Sequence, residues 1–166
     1  WDGALGPREQ VFGQVIDAIL EEATCDVSLV DLQDGAIGTP VALVAPGPNA
    51  AVVARRAFEF AAVDGTVPTL VYVHSPGGGS EADAVTAGRE VIEEIARAAG
   101  LDPDEYDATV LVSDDVEAAL LEAIDGYDTV CIGLSDRTDA SGVVYGTITE
   151  SIAHEARGNV ALIRGT

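Results

Sequence analysis

Short apolar runs alternate with longer amphipathic segments along most of this chain. The runs are rich in Val, Ile and Leu, and most contain no regular polar alternation, which is typical of strands buried on both faces of a parallel sheet. These runs predict strands at residues 26–30, 41–45, 69–73, 108–112, 129–132 and 160–163.

The segments between the runs have the periodicity of amphipathic helices. They predict helices at residues 8–23, 50–62, 80–99, 114–124 and 147–156. The helix near residue 80 opens with Ser80 three positions before Asp83, which is the spacing of a capping box, and it stops at Gly100. From residue 41 onward the order is βαβαβαβαβ, which predicts right-handed crossovers and a doubly wound α/β sheet.

The chain also repeats part of its own sequence without a gap. Residues 11–31 match residues 144–164, which lie 133 positions later, in apolar pattern and in several identities. We interpret residues 1–34 as the final helix and strand of a preceding, truncated repeat, and residues 39–166 as a complete module. We expect the strand at 26–30 to cover a sheet edge, in its own module or in a dimer partner, because an unpaired apolar edge is an association site. The identical positions in the first copy are Val11, Gly13, Ile19, Glu22, Ala23, Val27 and Leu29.

The charge of the chain is strongly acidic. It has 29 Asp and Glu residues and 8 basic residues, all of them Arg, for a net charge of −21. This charge repels a phosphate backbone, so nucleic acid is excluded as a partner. Dense carboxylates are typical of adaptation to high salt, which screens their repulsion over about 3 Å at molar concentration. A salt-loving archaeal source follows, and an acidic face for a cationic partner is the alternative.

Cysteine and histidine residues give no indication of a metal site or a disulfide. Cys25 and Cys131 lie in or beside apolar strand-like runs, so both are expected to be small buried thiols. His74 and His154 are isolated and are expected at the surface or at a strand end. The longest apolar runs are far shorter than the roughly 20 residues of a membrane span. Since Trp1 opens a chain without Met, we expect a segment processed or excised from a longer protein.

A segment near the end of the chain combines a buried strand with a glycine-bearing loop. The strand at 129–132 runs into Gly133 and Asp136, and Gly146 and Thr147 open the last helix. Glycines let backbone N–H groups approach a phosphate, while a hydroxyl and the dipole at a helix start favour an anion. The spacing resembles the phosphate loop of the universal stress protein family, Gly-x2-Gly-x9-Gly-Ser/Thr, with Asp136 in place of the middle glycine.

The resemblance covers most of residues 39–166 and implies a fold and a site. The implied fold is Rossmann-like, of the adenine nucleotide alpha hydrolase type. It has three layers around a five-stranded parallel sheet of strand order 3-2-1-4-5, with the N-terminal helix and strand in addition. The implied cofactor-binding residues are Gly133, Asp136, Gly146, Thr147, Pro46 and Val73.

Two departures from the family pattern affect that site. Family members that hold ATP have an Asp at the end of the first strand, and Pro46 occupies that place here. Asp136 puts a carboxylate where phosphate oxygens lie. Two unit charges 4 Å apart repel by about 1 kcal/mol in water and about 4 kcal/mol at an effective dielectric of 20. We therefore expect no cofactor, with ATP or AMP as the alternative.

The resemblance implies a cytoplasmic, non-enzymatic regulatory module of the stress response. It implies pairing as a homodimer or as tandem modules, or fusion to a membrane transporter such as an amino-acid permease, with no direct membrane insertion of this segment. An ATP- or AMP-binding switch or weak ATPase is the alternative. A flavoprotein-like electron carrier of a related fold is a third hypothesis.

These expectations depend on the backbone between Gly133 and Thr147. It is expected to form a glycine-lined anion cradle at the edge of a parallel sheet. On this reasoning, an antiparallel hairpin in the same stretch overturns the family assignment.

Overall fold

The computed structural model describes residue 19 and residues 22–33, 35–77, 79–134, 137–139, 142–144 and 147–166. The predicted helix at 8–23 therefore lies almost entirely outside the described residues. In chain order the elements are β1 (Val27–Asp31), β2 (Pro40–Leu43), α1 (Ala50–Asp64), β3 (Thr69–His74), α2 (Glu81–Ala99), β4 (Asp107–Val112), α3 (Val116–Ala123), β5 (Thr129–Gly133), β6 (Arg137–Asp139), β7 (Gly142–Val144), α4 (Thr147–Glu155) and β8 (Asn159–Arg164).

A six-stranded sheet of order β1-β8-β5-β2-β3-β4 forms the centre of the fold. The five strands from β2 onward in this sheet are parallel, and their order is the predicted 3-2-1-4-5. β1 pairs antiparallel with β8. The prediction that the leading strand covers a sheet edge is therefore confirmed, within its own module. Its origin in a preceding repeat stays a prediction.

Two apolar clusters cover the two faces of the sheet. One cluster joins Val71, Val130 and Leu162 to α3 and α4, and the other joins Leu70, Cys131 and Ile163 to α1 and α2. Successive strand residues point to opposite faces, so each buried strand contributes to both clusters, which explains its continuous apolar sequence. The fold class is therefore the predicted three-layer α/β arrangement.

The helix boundaries agree with the sequence signals. Ser80 caps α2 and forms the predicted capping box with Asp83, and the helix ends at Gly100 with φ of 73°. The sequence-based prediction that both thiols are buried was half wrong. Cys131 is buried in β5, but Cys25 is exposed, because it lies in a bend before β1 rather than within the strand. Both thiols are free.

An antiparallel hairpin occupies part of the stretch predicted to be an open loop. Within it, β6 and β7 pair with Arg137 opposite Val144 and Asp139 opposite Gly142. They form a separate two-stranded sheet beyond the end of β5. The expected anion cradle around Asp136 and Gly146 involves residues outside the described ones and stays a prediction.

The connection from β1 to β2 is tied to the amino edge of the sheet. The Asn159 amide donates to the Ala36 carbonyl over 2.8 Å, and the Thr129 hydroxyl donates to the Ile37 carbonyl over 2.6 Å. The Thr39 N–H donates to the Asp128 carboxylate over 2.7 Å. Buried groups with partners of this kind are costly to separate, so this connection is a fixed part of the fold.

Candidate functional site

The candidate site lies at the carboxyl ends of β2 and β5. β2 leads through α1 to β3 on one side, whereas β5 leads through the hairpin and α4 to β8 on the other side. This is the topological switch point of the sheet. In open α/β sheets, ligands bind in the crevice outside the strand ends at that point.

Asn49 occupies the switch point. It is the residue before α1, and its side chain makes no capping hydrogen bond to that helix. Instead, its amide nitrogen donates to the Leu134 carbonyl just after β5, and its amide oxygen accepts the Gly165 N–H just after β8 over 2.7 Å. The residue is 9% exposed. One buried neutral amide therefore joins the start of α1 to the ends of two strands.

Two glycines allow α1 to approach these strand ends closely. A Cβ placed on Gly133 would lie 3.2 Å from the Asn49 Cβ, and one on Gly165 would lie 2.9 Å from Cγ2 of Val52. The contact at Gly133 is tighter than usual, and the contact at Gly165 is shorter than real side chains adopt. Packing against α1 thus disfavours a larger residue at Gly133, independently of any phosphate.

The start of α4 faces the same strand end. α4 begins at Thr147, as predicted, and the buried Thr149 places its hydroxyl oxygen 3.5 Å from the carbonyl oxygen of Gly133. The positive end of the α4 dipole therefore lies at this edge of the sheet. The start of α4 and Gly133 therefore lie in the same region, while a ligand-binding role of Gly133 and Thr147 stays a prediction.

A comparison of sequences identifies the family. The model of the universal stress protein family matches residues 41–164. This chain belongs to the universal stress protein family. Comparison with curated proteins finds no match.

Solved structures of universal stress proteins share this fold. One, determined in complex with cAMP, is 17% identical, with a TM-score of 0.62 over 80% of this chain and 100% of that chain. Another, from Archaeoglobus fulgidus in complex with dAMP, is 18% identical, with a TM-score of 0.55 over 77% of this chain and 98% of that chain. A longer universal stress protein chain from the same organism is 18% identical, with a TM-score of 0.59 over 95% of this chain and 56% of that chain. At these identities the likeness shows the fold alone.

The family assignment holds although the hairpin β6–β7 is present. The sequence-based reasoning that a hairpin would overturn the assignment was therefore wrong. The parallel sheet, its strand order and the match over residues 41–164 carry the assignment. In this universal stress protein domain, the stretch after β5 contains an additional pair of short antiparallel strands, β6 and β7.

The other predicted site residues are distributed between surface and core. Pro46 is exposed on the turn between β2 and α1. Val73 is 9% exposed and packs in the cluster under α3 and α4, opposite Leu111 of β4. The structure thus places Val73 in the core. Asp136 and Gly146 lie outside the described residues, and so does the side chain of Thr147.

Sequence reasoning missed the role of Asn49. In the sequence it is only the residue that precedes the helix predicted at residues 50–62. Its partners, Leu134 and Gly165, are 85 and 116 positions away in sequence, so local pattern gives no direct indication of them. The available signal in the sequence was a polar residue that lies between a buried strand and the Ala-rich segment that forms α1.

Two small cavities lie outside this crevice. One, of about 280 Å³, is lined by the turn from β3 to α2 and by Val112. Beside it, two hydrogen bonds lower the pKa of the Asp83 carboxyl. The larger effect comes from the Ser80 hydroxyl and the smaller from the Ser80 N–H. The other, of about 290 Å³, lies at the opposite edge between the ends of α3 and α4.

Neither a metal cluster nor a membrane-spanning helix occurs in the described part of the chain. No group of His, Cys, Asp and Glu side chains among the described residues is arranged to hold a metal ion. None of the described helices is both long enough and apolar enough to cross a membrane.

Proposed function

We propose that this universal stress protein domain is a non-enzymatic regulatory module with a reduced nucleotide site. The observation that carries the proposal is the bonding of Asn49 at the switch point. Its oxygen accepts the Gly165 N–H and its nitrogen donates to the Leu134 carbonyl. This side chain at the switch point is therefore engaged in holding strand ends together. Pro46, in the place of the Asp of ATP-holding members, has no side-chain acceptor for a ribose.

Electrostatics support the same proposal. Asp136 brings a carboxylate into the loop that in other members holds phosphate, and the whole chain carries a net charge of −21. A repulsion of about 1 to 4 kcal/mol at 4 Å corresponds to about one to three decades in affinity. This penalty grows with the number of ligand charges, so it is largest for ATP.

A nucleotide-binding switch or weak ATPase is the second candidate function. It is supported by the two solved relatives that hold cAMP and dAMP. A ligand with one phosphate carries fewer charges than ATP, so Asp136 opposes it less. If this module binds a nucleotide, AMP-like ligands are the expected class.

Thermal unfolding with and without nucleotides tests the proposal. The protein is heated in molar KCl with millimolar ATP, AMP or cAMP, and ATP hydrolysis is followed in parallel. We expect no shift of the midpoint and no turnover. A ligand present at 100 times its Kd would add about 2.7 kcal/mol of stability, which is several degrees for a chain of this size. Such a shift with AMP or cAMP favours the second candidate, and turnover of ATP contradicts the proposal.

A gain-of-binding variant tests whether Pro46 and Asp136 are what weakens ATP binding. Pro46→Asp combined with Asp136→Gly restores the acceptor and removes the repelling carboxylate, so it is expected to gain a midpoint shift with ATP. Asp104→Gly removes the same charge as Asp136→Gly, but from the exposed turn after α2, so Pro46→Asp combined with Asp104→Gly is the charge-matched control. A variant that gains no ATP response, or a control that gains the same response, contradicts the assignment of these two positions.

The setting of the module is part of the proposal. We place it in a longer cytoplasmic protein, either as one of two tandem modules or as the regulatory region of a transporter such as an amino-acid permease. The internal repeat and the pairing of β1 with β8 support a tandem arrangement. The complete reading frame tests this, since several apolar spans of about 20 residues mark a transporter and a second module marks a tandem protein.

A further inference from the structure

A cavity of about 290 Å³ lies at the amino edge of the sheet, where α3 and α4 both end. Its floor is apolar, because it is lined by Ile124 and Val130, which are only 7% and 1% exposed. Half-buried Leu121 and Tyr127 also line it. One water molecule occupies about 30 Å³ of the liquid, so the cavity has room for a ligand of about ten non-hydrogen atoms.

The rim of this cavity is negatively charged. Its carboxylates belong to Glu122, Asp125 and Glu155, which are all exposed, and its guanidinium belongs to Arg157. Three carboxylates against one guanidinium leave an excess of two negative charges. The ends of α3 and α4 add to this excess, since the carboxyl end of a helix carries a partial negative charge. An apolar floor thus lies beneath an anionic rim.

Arg157 shows that the rim already holds one cation and leaves room for another. A guanidinium nitrogen of Arg157 lies 3.7 Å from a carboxylate oxygen of Asp125, although 88% of the Arg157 side chain is exposed. A side chain this exposed does not fill the cavity. Within the described part of the chain, Glu122 and Glu155 take part in no ion pair. Two of the three rim carboxylates are therefore available to a ligand.

The class of ligand follows from these groups. An anion is repelled by the rim. A metal ion is not the expected occupant, since no group of His, Cys, Asp and Glu among the described residues is arranged to hold one. A cation with an apolar body matches both features of the cavity. Its charge remains at the exposed rim, while its body displaces water from the floor, which the hydrophobic effect favours.

We propose that this cavity binds a small organic cation, with one ammonium or guanidinium group on an apolar body. The body contacts Ile124 and Val130, and the charged group pairs with the carboxylates of Glu122 and Glu155. The domain then has a second ligand site, at the edge of the sheet opposite the crevice, and this inference is independent of nucleotide binding. Two sources supply such a group: a free amine, or an Arg or Lys side chain of another protein.

Nuclear magnetic resonance with benzylamine as the probe tests the proposal. Benzylamine joins one ammonium group to a phenyl ring and fits the volume of the cavity. It is titrated into the isotope-labelled full chain at neutral pH, in the lowest KCl concentration at which the protein stays folded. We expect saturable shifts of the Gly126 and Tyr127 amides, which line the cavity, with a Kd in the millimolar range.

Two further probes separate the charge of the ligand from its shape. Benzyl alcohol has the shape of benzylamine without its charge, and methylamine has the charge without the ring. Each carboxylate about 4 Å from a cation contributes about a factor of five to the affinity in water, and burial of the ring contributes at least as much. We therefore expect both probes to bind at least about tenfold more weakly than benzylamine.

Neutral variants of the rim test the role of its carboxylates. A triple rim variant is expected to bind benzylamine about tenfold more weakly or worse. A triple variant of α2 removes the same total charge and is expected to bind it as the original chain does. All six positions are exposed, so little stability is lost. The rim variant is Glu122→Gln, Asp125→Asn and Glu155→Gln, and the control is Glu90→Gln, Glu93→Gln and Glu94→Gln.

A variant of Arg157 tests the opposite direction. Arg157→Gln removes the internal competitor and frees the Asp125 carboxylate, so the affinity for benzylamine is expected to rise about fivefold. The ion pair that is lost is exposed and contributes little to stability. Arg89→Gln, at an exposed position of α2, makes the same change of charge and is expected to leave the affinity unchanged.

A blocked arginine distinguishes the two sources of the cation. Acetylarginine methylamide carries its guanidinium on a polypeptide backbone, as a protein partner would present it. If it binds more tightly than benzylamine, the cavity accepts a side chain of another protein. If benzylamine binds more tightly, the ligand is a free amine. Either result supports a site for an organic cation.

Three outcomes overturn the proposal. The first is the absence of saturable shifts at Gly126 and Tyr127 with every cationic probe. The second is binding of benzyl alcohol as tight as that of benzylamine, because the rim then has no role. The third is an equal affinity for benzylamine in the rim variant and the α2 variant, because the effect is then one of total charge.

Discussion

The side-chain amide of Asn49 donates to the backbone carbonyl of Leu134, 85 positions later in the sequence. The same amide accepts the N–H of Gly165 over 2.7 Å. The start of α1 is in this way attached to the ends of β5 and β8. The contact lies where other α/β proteins bind ligands, so the stability of the strand ends and the state of the crevice depend on one side chain.

Replacement of this amide is expected to destabilise the fold. Asn49→Ala leaves the Leu134 carbonyl and the Gly165 N–H without their partner. Each unsatisfied buried group costs about 1 to 3 kcal/mol, so the expected loss for the two groups is about 2 to 6 kcal/mol of unfolding free energy. Urea unfolding in molar KCl measures it. Gln33→Ala removes an exposed amide and is the control; equal losses in the two variants would contradict the role of Asn49.

Glycine substitutions separate close packing from open turns. A Cβ on Gly158 would lie 2.3 Å from the carbonyl oxygen of Asp128, which is backbone and cannot rotate away, whereas Gly35 has nothing within 4 Å. Overpacking costs about 1 to 3 kcal/mol, so Gly158→Ala is expected to lower the unfolding free energy by at least that amount. Gly35→Ala is expected to change it little. The prediction fails if chemical denaturation gives the two variants the same stability.

The two thiols are expected to react at very different rates. Burial raises the pKa of the Cys131 thiol to about 12, from an ordinary value of 9.0. The thiolate is the reactive form, and at pH 8 it is then about one part in ten thousand of Cys131. Exposed Cys25 is therefore the thiol that a disulfide reagent modifies in the native protein. Cys25→Ser should abolish the rapid reaction, and rapid labelling of that variant would contradict the buried position of Cys131.

The same pKa shift contributes to the pH dependence of stability. The folded state favours the neutral thiol of Cys131. The contribution is therefore fully present below about pH 9 and is lost as pH rises toward 12. Cys131→Ala is expected to remove this part of the alkaline loss, which unfolding curves between pH 8 and pH 11 measure. Cys25→Ala is the control and should leave the alkaline loss unchanged.

Salt is expected to stabilise the domain strongly. The chain has a net charge of −21. Repulsion between its carboxylates extends over about 10 Å at 0.1 M salt, but over only about 3 Å at 1 M. The thermal midpoint is therefore expected to rise by several degrees between these two KCl concentrations. Sodium chloride serves as the control for a potassium-specific effect. A midpoint that is independent of both salts contradicts the high-salt interpretation of the acidic composition.

Most of the fold follows from the sequence because the buried strands differ from the helices in two local properties. Runs such as Val130–Cys131–Ile132 lack polar alternation, and helix ends carry signals such as Ser80 and Gly100. Once the βα order is known, handedness leaves few topologies. The edge position of β1 was predicted from the internal repeat. Its own sequence contains no indication of an edge, because it is that of an inner strand.

The parts that could not be predicted depend on contacts between distant residues. The strands β6 and β7 have three residues each, and their pairing rather than their sequence pattern makes them strands. Asn49 has partners that only the folded chain brings near. Val73 was assigned to the ligand site from family resemblance, whereas the side on which it points depends on strand alternation across the sheet.

The attachment of Ala36 and Ile37 to Asn159 and Thr129 fixes two described positions of the connection between β1 and β2. A movement of β1 away from β8 and the rest of the domain would have to break these hydrogen bonds and the β1–β8 pairing. A conformational change at the crevice would therefore have to reach β1 through the sheet. Because Asn49 holds the ends of β5 and β8, a shift of these strand ends would displace β8 and, through the β1–β8 pairing, β1.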